Sequence, residues 1–333
     1  MAIGKASDFV IYHEEFYAGL VERITQMVDA FGAASRNSIR VVVERSRGDY
    51  RKAAFFKDIS TLITRRDVTS TDAVTDLAMT AGEHISVKVH RKIGPVAQTL
   101  DAWRRIGSDQ REMSFRLGEV IAEKKAQDYL NTSIKALVGA LGVSAFSYFT
   151  STASVMNTGK LVSGLAKFGD AQNDIVCWVM HSKSWFDLVA EQLTNAAGYG
   201  DNPEIGGFVV RSGTPITLGR PVIVTDSAAL ITTGIPDTYH VLGLATDSCV
   251  LEESEQPELV TDMITGLENL VYRVQGEYTF NMGLRGLKWD TANGGASPTD
   301  TALGTGSNWD AANGASASLA EVKRYPGVRV NTQ

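Results

Sequence analysis

Only a few residues of this sequence combine the types and spacing that a catalytic site requires. Cys177 and His181 lie four residues apart, as a thiol nucleophile and its base could. The apolar run Ile175–Met180 around the cysteine instead predicts a buried strand, in which the thiol is a small apolar side chain. Cys249 is distant along the chain, so neither a disulfide framework nor a zinc site is indicated.

Other ionisable residues give no stronger indication of chemistry. His84 and His90 share one face of a predicted strand, but six residues of strand span about 20 Å, too far for one metal ion. Asp226, Asp237 and Asp247 each follow a predicted strand, which suits an α/β active site but suits a turn better. The sequence contains no phosphate-binding loop, serine elbow, HExxH or CxxC motif. We therefore predict no catalytic, cofactor-binding or metal site, and no enzyme activity.

The elements that position these residues are organised around one long predicted helix, Ser108–Leu141. Ser108 is placed to cap its first turn and Gly142 to end its last. At about 33 residues, or roughly 50 Å, a helix of this kind is usually the spine of a domain. The alternative is a helix broken near Asn131–Ser133. The apolar stripe comprises Met113, Leu117, Val120, Ile121, Leu130, Ile134, Leu137, Val138 and Leu141. The opposite face carries Arg111, Arg116, Glu119, Glu123, Lys124 and Lys125.

Composition and charge are those of a folded soluble protein. The 333 residues are 44% hydrophobic and 21% charged, with room for two domains or one large domain with excursions. No apolar run approaches the roughly 18 residues of a membrane span, and the N-terminus lacks the apolar core of a signal peptide. We therefore expect synthesis in the cytoplasm and no membrane contact.

The net charge of −6 is unevenly distributed along the chain. Up to Leu130 there are 20 Lys and Arg against 18 Asp and Glu, and the remainder has 12 against 20. Solvated faces explain such runs more often than nucleic-acid binding does. The basic cluster comprises Arg45, Arg47, Arg51, Lys52, Lys57, Arg65 and Arg66. The acidic cluster comprises Glu252, Glu253, Glu255, Glu258 and Asp262.

The first part of the chain predicts a terminal helix and a long excursion. Residues Phe9–Phe31 have helical apolar spacing rich in aromatics, and this face needs cover from its own subunit or a neighbour. A strand is predicted at Ile39–Val43, and a return strand with alternating apolar residues at His84–Ile93, which Gly94-Pro95 is expected to stop. The chain between them forms an out-and-back ribbon with little apolar density, so it needs outside support.

The sequence after the long predicted helix predicts a compact α/β domain followed by a long strand and a tail. Strands are predicted at Asp174–Met180 and near Phe208–Val210, Pro221–Thr225 and Tyr239–Ala245, with a helix beginning at Ser182. The alternation over Tyr272–Leu284 predicts a 13-residue strand with one buried face. The tail holds a near repeat, WDTANGGAS at Trp289 and WDAANGAS at Trp309, where loop or extended structure is predicted.

This order of elements resembles the major capsid protein of tailed bacteriophages, with the Hong Kong 97 type of fold. The resemblance rests on the terminal helix, the ribbon, the long helix, the segments DIVCWVMHSKSWFDLV and GRPVIVTD, and the closing strand LVYRVQGEYTFNMGLRGLKWD. The repeated tail is not part of that pattern. The resemblance implies an α+β chain with an N-terminal arm (1–43), an extended loop (44–94), a peripheral domain with the spine helix (95–141), an axial domain (142–268), and a return into the peripheral domain with a C-terminal tail (269–333).

The resemblance also implies function and partners. Such chains assemble in the host cytoplasm as hexamers and pentamers of an icosahedral virion capsid, around double-stranded DNA that they touch non-specifically. Members often carry an N-terminal scaffolding segment; because none is evident here, a separate scaffolding protein is expected, with portal and possible decoration proteins. Lys52 and Lys57 lie where some members crosslink, but no motif supports a crosslink. An encapsulin-like nanocompartment shell and a soluble α/β enzyme remain alternatives.

A closed shell would cover the arm and the ribbon, which cannot bury enough surface alone. We predict that the ribbon docks on a neighbouring subunit partly through charge. The competing hypothesis is that its basic residues touch packaged DNA. The candidates for contact between subunits are Arg45, Arg47, Arg51, Lys52, Lys57, Glu252, Glu253, Glu255 and Glu258.

Overall fold

The computed structural model describes residues 32–33, 35–44, 47–57, 62–99, 101–102, 110–143, 148–150, 154–198, 217–313 and 323–333. The predicted terminal helix Phe9–Phe31, the predicted cap Ser108 and the predicted strand near Phe208–Val210 lie outside these ranges. Within them, no helix combines the length and the apolar content needed to cross a membrane.

The described residues form strands and helices in a mixed order along the chain. The strands are β1 (Ile39–Val43), β2 (Tyr50–Phe56), β3 (Ala81–Thr99), β4 (Tyr148–Thr150), β5 (Ile175–Met180), β6 (Val222–Val224), β7 (Ile231–Thr232), β8 (Thr238–Ala245), β9 (Cys249–Ile264), β10 (Val271–Leu284), β11 (Leu287–Trp289), β12 (Trp309–Ala311) and β13 (Gly327–Thr332). The α-helices are α1 (Gln110–Leu141), α2 (Thr158–Ala166), α3 (Ser182–Gly198) and α4 (Asp300–Leu303). Short 3₁₀ turns lie at Gly169–Asp174, Ala228–Leu230 and Gly306–Asn308.

The three longest strands, β3, β9 and β10, belong to a five-stranded sheet in the order β1-β9-β10-β3-β2. β1 runs parallel to β9, and the other neighbours are antiparallel. Alternate residues point to opposite faces. On one face, called the inner face here, Val87, Phe280 and Met282 are fully buried. Tyr129 of α1 meets Phe280 edge to face at 4.9 Å between ring centroids, so the inner face receives the long helix.

The predicted spine is confirmed as a single helix, α1, with no break near Asn131–Ser133. Its C-terminal half lies in the main core, and Ile121 and Ala122 form a second apolar cluster with Leu259 and Val274 of the sheet.

Two assignments of residues to the faces of α1 are wrong. Val120, predicted in the apolar stripe, is 52% exposed, whereas Lys125, predicted on the polar face, is buried. Lys125 is buried because Glu253 of β9 presents a carboxylate to it at the interface between helix and sheet.

The ribbon is β2 and β3, paired from Tyr50 opposite Val87 to Phe56 opposite Ala81. The described residues between these strands, 57 and 62–80, form neither helix nor strand. The prediction that Gly94-Pro95 stops the return strand is wrong, because β3 continues along β10 to Thr99 with a register shift beside this dipeptide. Gly94 and Pro95 lie at this shift, where two residues of β3 face one residue of β10, and proline is tolerated at a β-bulge of this kind.

The α/β part forms a six-stranded sheet in the order β4-β13-β8-β5-β6, with β7 paired to β8. The predicted strands at Asp174–Met180, Pro221–Thr225 and Tyr239–Ala245 are confirmed as β5, β6 and β8, and the helix from Ser182 as α3. β13 lies between β4 and β8, so the end of the chain completes this sheet.

The long strand β10 is confirmed, but its burial is only partly as predicted. Residues alternate between exposed and buried as far as Tyr278, and all of Thr279–Leu284 are buried. In this second stretch the side chains on both faces are buried, and these include polar residues such as Asn281.

The repeated tail is part of the core. β11 and β12 pair with Trp289 opposite Trp309, and the two buried rings meet edge to face at 4.9 Å. The tail also approaches α1 closely, since a Cβ atom on Gly139 would overlap the Gly304 carbonyl. Gly139 therefore makes room for the tail, at the expense of helix propensity.

Candidate assembly surface

The ribbon exposes a series of large apolar side chains. Each is between 53% and 93% exposed, and they occupy the end of β2 and the chain that follows it. Apolar surface of this kind on one projecting segment indicates an interaction site. The residues are Phe56, Leu62, Ile63, Val68, Val74, Leu77 and Met79.

At the stem of the ribbon, which is the name used here for residues 47–57, Arg51 is held by two carboxylates of its own chain. Its guanidinium donates to Glu44 at 2.7 and 2.8 Å and lies 2.5 Å from Glu252 of β9. Hydrogen bonds to Glu252 and then Glu44 raise the pKa of Arg51. Arg51 and Glu252, two predicted contacts between subunits, are therefore paired within one subunit.

Glu253, the next residue of β9, is also paired internally. It accepts a hydrogen bond from Lys125 of α1, and the Tyr129 hydroxyl lies 3.4 Å away. The Lys125 ammonium also lies 5.4 and 5.2 Å from the ring centroids of Tyr129 and Tyr278. Burial lowers the pKa of Lys125, and Glu253 opposes this effect.

The other predicted contact residues differ in their placement. Arg47, Lys52 and Glu258 are exposed, and Lys57 is partly buried. Arg45 and the side chain of Glu255 lie outside the part of the chain that the structure describes. The exposed residues remain candidates for contact with another subunit.

Register adds an acidic feature that the sequence did not indicate. Glu258 of β9 lies directly opposite Glu277 of β10, and both are exposed. Like charges directly opposite each other are destabilising in a sheet. Asp262 lies further along the same strand, opposite Arg273. Lys92 of β3 lies opposite Glu277 on its other side, so a cation of the same subunit already neighbours Glu277, and a further cation from outside would act mainly on Glu258.

A second, partly buried polar network joins sheet, helix and tail. Arg91 of β3 bonds Asp128 of α1 at 3.0 Å and Asp300 of α4 at 2.6 Å, and the Tyr278 hydroxyl donates to Asp128 at 2.7 Å. Arg91 and Asp300 are separated by most of the chain, so sequence spacing could not reveal the pair. The network fixes α1 between the sheet and the tail.

His240 on β8 is a buried ionisable residue that sequence analysis also missed. Its Nε2 lies 2.7 Å from the Thr232 hydroxyl and its Nδ1 lies 2.8 Å from Asn331 Oδ1. Burial, and then the positive charge of Arg329, lower the pKa of His240 to about 4. Arg329 also donates to the Val138 carbonyl at 2.6 Å, which ties α1 to the six-stranded sheet.

The thiol and imidazole considered for catalysis contact different partners. Cys177 Sγ lies 3.1 Å from the Ser38 hydroxyl, and burial raises the pKa of this thiol to about 11. His181 Nδ1 accepts the Lys183 N–H at 3.1 Å, at the start of α3, and its Nε2 lies 3.5 Å from Asp226. His181 therefore acts as a helix cap.

The remaining ionisable candidates have structural contacts. Asp237 accepts the Gly234 N–H at 2.9 Å, which confirms its predicted turn. Asp247 occupies the turn after β8 and pairs with Arg40 at 3.1 Å. His84 Nε2 lies 2.9 Å from the Leu284 carbonyl, and His90 is exposed. Among the described residues, no group of three or more His, Cys, Asp or Glu side chains is arranged to hold a metal ion.

Comparison with known proteins gives one family and a set of solved structures. The model of the family described as "Gp13-like: Major capsid protein 13-like" matches residues 8–328. No curated protein sequence matches the chain.

Several solved structures similar to the chain come from bacteriophages. One is of Microbacterium phage Oxtober96, with 12% identity, a TM-score of 0.52, and coverage of 90% of this chain and 91% of that chain. Another is the Cyanophage Pam1 capsid asymmetric unit, with 12% identity, a TM-score of 0.50 and coverage of 88% of each chain. A third is the capsid of Ralstonia phage GP4, with 10% identity, a TM-score of 0.50, and coverage of 90% and 87%. At these identities the likeness concerns the fold.

Proposed function

Because this chain belongs to the Gp13-like family of major capsid proteins, we propose that its copies form an icosahedral head shell of hexamers and pentamers around double-stranded DNA. The predicted function is confirmed at the level of a tailed-phage major capsid protein, a structural component of the virion that self-assembles. The α+β fold of the Hong Kong 97 type is likewise confirmed. The family match, over residues 8–328, carries the proposal and favours a phage shell over an encapsulin-like compartment.

The exposed ribbon supports assembly into a closed shell. Its apolar side chains have no cover from the described part of the chain, and Ile63 and Val74 are 93% and 92% exposed. Burying them against another copy is favourable by about 25 cal/mol for each Å² of apolar surface. An obligate interface of this kind is expected to exceed roughly 2,000 Å².

We propose that opposite charges on the two subunits determine how the ribbon is positioned on its neighbour. Arg47, Lys52 and Lys57 lie on the stem of the ribbon. Glu258 and Glu277 lie opposite each other on another part of the sheet, where Lys92 of β3 is the other neighbour of Glu277. We place the basic stem of one subunit against the acidic pair of its neighbour. Each exposed ion pair is worth only about 0 to 1 kcal/mol, but the contact recurs at every equivalent interface of the shell.

The proposed partners are those of a phage head assembled in the host cytoplasm. They include a separate scaffolding protein, a portal and possible decoration proteins, with packaged DNA held by non-specific contact. No enzymatic step is assigned to this chain. The proposed domain limits are 1–43, 44–94, 95–141, 142–268 and 269–333.

Microscopy of the purified full-length chain, expressed alone and with its scaffolding partner, tests this function. We expect closed shells of uniform size, and particles isolated from infected cells should contain double-stranded DNA. A monodisperse monomer under all assembly conditions would contradict the shell. Shells that enclose an enzyme and no DNA would instead favour the encapsulin-like compartment.

A further inference from the structure

Strand β9 presents two consecutive carboxylates to opposite faces of the five-stranded sheet. Glu252 points to the outer face, where Arg51 of β2 lies 2.5 Å away. Glu253 points to the inner face, where it pairs with Lys125 of α1. The two carboxylates are only 15% and 14% exposed, so both depend on their cations for compensation.

Backbone pairing of β9 becomes irregular immediately after these residues. The parallel ladder with β1 ends where Val43 lies opposite Glu253. On the other side, Phe280 of β10 lies opposite Glu253, but Thr279 lies opposite Glu255. The residue of β9 between these two therefore has no partner residue on β10. This is the pattern of a β-bulge, at which a strand bends and its pairing is locally disrupted. Side-chain contacts therefore help to fix the position of β9 where its backbone pairing is irregular.

The outer contact extends across much of the sheet. Arg51 belongs to β2, an edge strand, and Glu252 belongs to β9, with β10 and β3 between them. Three strand spacings amount to about 14 Å, which the two extended side chains together can span. On the outer face Gly283 of β10 has no side chain, and the His84 ring and the Ser86 Cβ lie 3.2 and 3.3 Å from the position that its Cβ would occupy. Arg51 therefore ties the stem of the ribbon to β9.

The inner contact fixes the long helix to the same point. The Lys125 side chain is only 1% exposed and lies against the rings of Tyr129 and Tyr278. A buried ammonium is costly without its counter-charge, so the position of Glu253 sets where this turn of α1 can lie. A shift of β9 would separate the two charges.

We propose that Glu252 and Glu253 couple the ribbon stem on one face of the sheet to the long helix on the other. A displacement of β2 pulls Glu252, rotates β9 at its bulge and moves Glu253 relative to Lys125. Within the proposed shell, a neighbour that binds the ribbon would in this way shift or stiffen α1. That last consequence rests on the proposed function, whereas the coupling itself is a property of one chain.

Hydrogen exchange followed by mass spectrometry tests the coupling in the full-length chain, with all samples matched in assembly state. Arg51→Met removes the charge and keeps most of the side-chain length. We expect at least threefold faster exchange in residues 50–56 and also in residues 121–133 of α1. The control is Arg40→Met, which removes the exposed Arg40–Asp247 pair from β1 of the same sheet and should leave α1 unchanged. Faster exchange confined to β2 and its neighbour β3 would overturn the proposal.

The reciprocal change gives an independent test, because coupling between two sites must act in both directions. Lys125→Met should speed exchange in residues 50–56, on the far face of the sheet. If either methionine variant fails to fold, Arg51→Lys keeps the charge but loses the two-pronged hydrogen bonding, and should give a smaller change in the same two regions. An effect of Lys125→Met limited to α1 and β9 would also overturn the coupling. These measurements remain informative whether or not closed shells form.

Discussion

At the scale of single residues, this protein compensates buried charges with partners that are remote in sequence. Sequence analysis identified Arg51, Glu252 and Glu253 as charged residues of interest, but it assigned all three to contacts between subunits. Periodicity placed Lys125 on a solvated face, and no local signal could have indicated Glu253, 128 residues away. Burial of a charge depends on tertiary pairing, which is why these environments could not be predicted from spacing.

His240 gives a pH dependence at this scale. Its pKa of about 4 in the folded chain is below the ordinary value of 6.5. Between these pH values the unfolded chain binds a proton that the folded chain does not, so stability is complete above about pH 6.5 and declines as the pH falls toward 4. The loss should approach about 3 kcal/mol. Thermal unfolding at pH 7.0, 5.5 and 4.5 measures it, and His240→Gln should show a shallower decline. Equal slopes for both proteins would refute the role of His240.

At the scale of elements, periodicity predicted the long helix, its continuity and the strands β5, β8 and β10. It failed where a neighbouring element changes the environment. Gly94-Pro95 does not end β3, because β10 continues to pair beside it. The two tryptophans of the tail were placed in loop or extended structure, but the repeats pair with each other and enter the core. Both failures concern contacts that only the folded sheet provides.

Adjacent residues of α1 offer a matched test of its buried face. Ile121 is 8% exposed and packs with Leu259 and Val274, whereas Val120 is 52% exposed. Ile121→Asp should lower the free energy of unfolding by about 2–5 kcal/mol from the lost apolar contacts alone, and prevent soluble assembly. Val120→Asp should cost less than about 1 kcal/mol and leave unassembled subunits folded. Urea unfolding of both variants distinguishes them, and equal losses would contradict the assigned face.

Gly139 tests the contact between helix and tail. Alanine is the better helix former by about 1 kcal/mol, so propensity alone predicts that Gly139→Ala stabilises the protein. The approach of Gly304 instead predicts a net loss of about 1–3 kcal/mol, because the added methyl group has no space. Asn131→Ala, on the exposed side of the same helix, is the control and should be neutral or slightly stabilising. A stabilised Gly139→Ala variant, measured by thermal unfolding, would show that the tail moves away.

At the scale of the whole molecule, internal pairing changes how the docking hypothesis should be tested. Reversing Arg51 would break a contact within the subunit, so it cannot report on neighbours. The triple variant Arg47→Glu, Lys52→Glu and Lys57→Glu avoids this problem. We expect it to impair assembly of DNA-free shells and to increase their sensitivity to salt. Microscopy and light scattering of empty shells measure both effects.

A charge swap provides the control for that experiment. Adding Glu258→Lys and Glu277→Lys to the triple variant should restore assembly if the basic stem docks on the acidic pair of a neighbour. The same two lysines alone should impair assembly. If empty shells form normally in the triple variant and only DNA packaging is lost, the basic residues face the nucleic acid and the docking proposal is wrong.

The arrangement of the five-stranded sheet has a consequence for biosynthesis. Its central strands, β9 and β10, occupy residues 249–284, yet they pair with β1 and β3, which leave the ribosome much earlier. In the nascent chain, β1, β3 and the apolar ribbon therefore lack their partner strands until most of the protein has been translated. Sheets closed by such distant segments fold slowly and are prone to aggregation before closure. Slower translation or added chaperone should accordingly raise the yield of soluble subunits.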